Sequence, residues 1–138
     1  MIVVARQDGW CGPDWSAGFS DISVHQRLAD ACERRVERHS SKLSGEWRQE
    51  LDTLLRRSNF FDLPERITQT PNGAGNITIR TEDSIMCIEV YVRGVHKVCG
   101  SSADVEFSSE GRRFAIVWNH LVAALPVKDV TSSIPLPE

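Results

Sequence analysis

The side chains in this sequence that could do chemistry are scattered. His25, His39, His96 and His120 show neither the His-Glu-x-x-His spacing nor any other local pairing that brings metal ligands onto one face. Cys11, Cys32, Cys87 and Cys99 contain no Cys-x-x-Cys pair and follow no export signal, so they read as four free thiols acting as small hydrophobes. No serine sits in a Gly-x-Ser-x-Gly elbow. Gly73-Ala74-Gly75 begins like a dinucleotide fingerprint, but Thr78 stands where the third glycine belongs and no Walker Lys-Ser/Thr follows. Asp62 and Glu65 form a close carboxylate pair, yet acids beside a helix end and a Pro turn are commonly caps. A catalytic triad dispersed along the chain leaves no local signature. The reading is therefore no enzyme, with no catalytic residue, metal ligand or cofactor assigned.

What remains is a segment suited to contact. Residues 7–21, QDGWCGPDWSAGFSD, crowd glycines, a proline and three aromatics together, a composition that predicts a structured loop. Within it Asp8, Gly9, Trp10, Cys11, Gly12, Pro13, Asp14 and Trp15 are the candidate partner-binding residues. Tryptophan offers large contact area with few torsions to freeze, and glycine and proline fix the backbone that carries it. The competing reading has Trp10, Trp15 and Phe19 folding back as a lid on the core.

Such a loop needs a scaffold, and 138 residues suffice for one domain with a real core. The composition, 41% hydrophobic and 25% charged with a net charge of -3, fits a globular chain without a field to draw nucleic acid or an anionic membrane. The basic run Arg34, Arg35, Arg38 and Lys42 is interrupted by Glu33 and Glu37 and reads as a solvated face. Residues 1–6 carry the wrong flanks for a signal peptide and no run is long enough to span a membrane, so a cytoplasmic location is expected.

Periodicity supplies the elements. Ile2 to Ala5 predicts a short strand, and Val24, Leu28, Cys32 and Val36 at every fourth position predict a helix over residues 24–38. Ser44 is a candidate N-cap, followed by Trp47, Leu51, Leu54 and Leu55 on one helical stripe that must stop before Pro64. Phe61 continues that stripe, and Phe60 turns toward a second element. Ile77 and Ile79, then Met86, Ile88, Val90 and Val92, then Val95, Lys97 and Cys99 alternate as three strands, with Arg93-Gly94 as a tight connection. Phe114, Val117, Trp118, Leu121, Val122 and Leu125 mark the strongest helix, ended by Pro126. The expected fold is α+β, a small antiparallel β-meander packed against two amphipathic helices. Residues 1–125 form one domain and 126–138 a flexible tail.

In this order of parts the sequence resembles the emfourin family, small proteinaceous inhibitors of thermolysin-like metalloproteases. The resemblance covers residues 43–125 best and rests on the helix over 44–57, the segment Asn59-Phe60-Phe61-Asp62-Leu63-Pro64, the alternating strands and the closing helix. Asp8-Gly9-Trp10-Cys11-Gly12 looks like the family's Gly-Gly-aromatic-small-Gly turn, with Asp8 replacing the first glycine. Residues 13–31 read as an insertion, and in the family's register residues 34–39 would be a strand rather than a helix. The resemblance implies a protein that inhibits a partner protein, a metalloprotease, by occluding its active-site cleft. Two alternatives stand beside it: an immunity or counter-defence protein neutralising another toxin or host factor, and a small enzyme with a dispersed site.

Overall fold

Antiparallel strands running in succession build most of the molecule. The structure, a computed structural model, describes residues 1–8, 13–30, 32, 34–67, 85–101 and 108–128. Strand β1 (Ile2–Asp8) pairs with β2 (Pro13–Phe19), β2 with β3 (Ser23–Asp30), and β3 with β4 (Arg35–Lys42), all antiparallel. On its other side β1 pairs with β6 (Ile85–Val92), which turns into β7 (Val95–Ser101). A two-residue strand, β5 (Arg66–Ile67), lies parallel to the far edge of β7. The order is β4-β3-β2-β1-β6-β7-β5, a mostly antiparallel seven-stranded sheet in an α+β fold. Arg93 and Gly94, at φ 48° and 78°, form the β6–β7 turn, whose two positive φ values match the twist of the flanking strands. Of the three strands expected from alternation, the one over residues 77–79 lies outside the described residues.

Alternation gives the sheet two unlike faces. Val3 and Ala5, Trp15 and Phe19, Val24, Ile88 and Val90 all point to one side and are buried. That side is covered by α1 (Gly45–Arg57) and α2 (Ser109–Ala123). The rings of Trp15 and Trp118 lie 5.4 Å apart, and Phe19 stacks on Trp47 at 5.5 Å, tying sheet to both helices. Ser44 and Ser108 cap the helices, each accepting from the third backbone N–H beyond it, at 3.1 and 2.9 Å. The helices meet where the His120 ring stacks on Trp47 at 4.7 Å and its Nε2 lies 3.0 Å from the Trp47 carbonyl oxygen. Among the described residues no helix covers the opposite face, which carries Ile2, Arg6, His25, Arg27, Arg38 and Tyr91 exposed.

Three expectations fail here for identifiable reasons. Residues 24–38 form β3, a turn and the start of β4 rather than a helix. A spacing of four is also a multiple of two, so Val24, Leu28, Cys32 and Val36 satisfy either period. Within the segment 7–21 expected as a loop, residues 7–8 end β1 and 13–19 form β2, while residues 9–12 lie outside the described residues. Phe60, not Phe61, is the core ring: Phe60 is fully buried while Phe61 is 39% exposed. Asn59 adopts the left-handed conformation (φ 51°, ψ 48°) between α1 and the 3-10 turn Phe60–Asp62, which resets the phase counted from Trp47. The Asn59 side chain holds the turn through Asp62 at 2.6 Å. Just beyond α2, Val127 is held to β3. Buried Gln26 of β3 donates to the Val127 carbonyl at 3.0 Å and accepts from its N–H at 2.9 Å.

Candidate functional site

The β1–β2 connection emerges from one end of the sheet. Its roots are fixed by register, with Gln7 opposite Trp15 and Pro13 opposite Asp30 of β3. Asp8 is exposed at the end of β1 and pairs with Arg6 at 3.7 Å. Asp14 is half-buried on β2 opposite Ala29. Gly9, Trp10, Cys11 and Gly12 lie outside the described residues. Trp15 departs from the role expected of it. It is only 2% exposed, packs on Trp118, and donates its Nε1–H to Gln7 Oε1 at 3.1 Å. Even spacing along β2 puts Trp15, Ala17 and Phe19 on the helix-covered face, so Trp15 is a core residue and not a contact side chain.

The neighbouring β3–β4 turn leaves the sheet at the same end. Cys32 in this turn is disulfide-bonded, while Cys87 and Cys99 are free, which corrects the expectation of four thiols. The partner of Cys32 lies outside the described residues. Spacing along the chain gave no sign of the bond, because the strand order alone decides which turns are neighbours. The Cys32 N–H also bonds Asp30 Oδ1 at 3.0 Å, tightening the turn.

The groups considered for catalysis stay apart. Ser23 Oγ lies 3.2 Å from His25 Nε2, His39 lies 3.3 Å from Glu37, and His96 stacks on Tyr91 at 4.2 Å beside Glu89. Among the described residues no three His, Cys, Asp or Glu side chains stand close enough to hold a metal ion. Burial pushes the Cys99 thiol up to about 12 and raises that of Cys87, which removes both as nucleophiles near neutral pH. Asp62 is bound into its own turn by Asn59. Among the described residues no helix is long and apolar enough to cross a membrane.

Sequence reasoning overlooked a polar depression of about 250 Å³ on the uncovered face, lined by Ser16, His25, Arg27, Arg38 and Ser40. The signal was the alternation His25-x-Arg27 and Arg38-x-Ser40, which has meaning only once both segments are strands. No protein-family model matches the chain, and no curated protein matches it.

Proposed function

We propose that this is a non-enzymatic interaction protein that inhibits its partner by presenting the β1–β2 connection to an active-site cleft. The emfourin resemblance makes a thermolysin-like metalloprotease the first partner to test. In this reading the β6–β7 strands and two amphipathic helices are the scaffold, and Trp10 with its flanking glycines supplies the contact. The observation that supports it most is the rigid root of the segment. Trp15 is buried against Trp118 and bonded to Gln7, so the chain enters and leaves the connection from fixed strands. A braced segment loses little freedom on binding, which is how a few contacts reach useful affinity. The disulfide at Cys32 beside it favours an oxidising compartment over the cytoplasm expected from the sequence.

The test is peptide cleavage by a thermolysin-like protease with added protein. Stoichiometric inhibition that weakens by about 2 kcal/mol or more in Trp10→Ala, the hot-spot scale, is the expected result. Absence of inhibition across such enzymes rejects this target. Unchanged inhibition by Trp10→Ala removes the tryptophan from the mechanism.

A further inference from the structure

The uncovered sheet face carries a two-by-three grid that the inhibitor reading does not use. Ser16 of β2 stands opposite Arg27 of β3, which stands opposite Arg38 of β4. One step along, Gly18 stands opposite His25, which stands opposite Ser40. Alternation places all six on the same face, away from the helices. Two arginines directly across an antiparallel pair repel each other. Among the described residues neither Arg27 nor Arg38 makes an ion pair or side-chain hydrogen bond that would offset this. The acids of this face on β1 and β2, Asp8 and Asp14, lie one register step beyond, and Asp8 is paired with Arg6.

Gly18 adds an independent observation. A Cβ there would meet nothing within 4 Å, and its φ is not positive, so neither packing nor backbone requires glycine. Glycine weakens a strand interior and often marks where something approaches the sheet closely. Gly18 stands opposite His25, which with Ser16, Arg27, Arg38 and Ser40 lines the depression of about 250 Å³. Gln26 and His39 also line it, though alternation assigns their side chains to the other face.

We propose that this grid binds a phosphoryl oxyanion, held between the Arg27 and Arg38 guanidiniums. Both are permanent cations with planar donor forks, and the Ser16 and Ser40 hydroxyls and the His25 ring add further donors. Two positive charges balance a phosphate group of about -1.5 to -2, with three terminal oxygens to share among the donors, whereas one carboxylate leaves half the charge uncompensated. The source is either free phosphate or a phosphate monoester on a larger molecule.

Inorganic phosphate and phenyl phosphate are titrated separately into the ¹⁵N-labelled full chain at constant ionic strength, with chloride as reference. Saturating amide shifts confined to β2, β3 and β4 are expected. Arg38→Gln should weaken binding about tenfold or more, the effect of losing a charge-assisted bond. Gly18→Val keeps every charge, fits the strand and fills the open space, so it should also weaken binding. Arg38→Gln should melt no lower than wild type at low salt, because it relieves the opposed charges. Equal affinity for both probes assigns the site to a monoester, and binding of inorganic phosphate alone assigns it to the free ion. Shifts that do not saturate, or equal stabilisation of wild type and Arg38→Gln as a general salt effect, would overturn the proposal. Neither outcome depends on whether the protein inhibits a protease.

Discussion

Phe60 and Phe61 are adjacent and chemically identical, so comparing their alanine variants isolates burial. Phe60 is fully enclosed beneath the end of α1, while Phe61 keeps 39% of its surface in water. The rings meet edge-on at 6.2 Å and 88°, an interaction either substitution removes, so it cancels in the difference. Phe60→Ala loses the full transfer term and leaves a cavity in a packed core, about 3–5 kcal/mol. Phe61→Ala loses roughly three-fifths of a transfer term of ~1.5–3 kcal/mol with no enclosed cavity, about 1–2 kcal/mol. For a chain of this size each kcal/mol moves the melting temperature by roughly 3–5 °C, so the variants should differ by about 10 °C. Guanidinium unfolding followed by tryptophan fluorescence would measure both, with unchanged m-values confirming that the shift is one of stability. If Phe61→Ala costs as much as Phe60→Ala, the left-handed Asn59 does not re-aim the chain as described, and the placement of the whole 3-10 turn is wrong.

Trp15→Ala should destabilise the fold by about 3–5 kcal/mol in thermal melts, unlike Trp10→Ala, which should leave the melting temperature within about 3 °C of wild type. Gln26→Ala orphans both backbone groups of half-buried Val127, so a loss of about 1–3 kcal/mol and faster hydrogen exchange at Val127 are expected. Iodoacetamide at pH 8 should leave Cys87 and Cys99 unmodified in the native protein. After denaturation without reductant both should react, and Cys32 only once reduced. Because burial raises the Cys99 thiol from 9.0 to about 12, the unfolded chain releases that proton first. Its contribution is therefore full below pH 9.0 and lost as the pH climbs towards about 12, by about 1.4 kcal/mol per unit, and the loss should be shallower in Cys99→Ala.

Two helices stand where two were expected, because a helix is written in residues only a few positions apart. Leu51 and Leu55 of α1, and Phe114, Val117, Trp118 and Leu121 of α2, are buried at spacings of three and four. β4 carries none, since every residue from Arg35 to Lys42 is exposed and an edge strand needs no apolar face. β2 did alternate, but Gly18 and Pro13 among its aromatics imitated a loop. Buried Gln26 broke the apolar rhythm of β3, and its partner Val127 lies 101 residues away, beyond the reach of any window.

The grid of Arg27 and Arg38 was hidden for a deeper reason than missed alternation. A charge run that is solvated in a helix becomes a surface with a definite shape only when strands are aligned. Moving β4 by one residue against β3 would replace Arg38 with Glu37 or His39 on that face, in place of two opposed guanidiniums. The repulsion at Arg27 and Arg38 thus depends on the register the rest of β3 and β4 imposes. Phosphate affinity at this face therefore reports on strand alignment as well as on ligand chemistry.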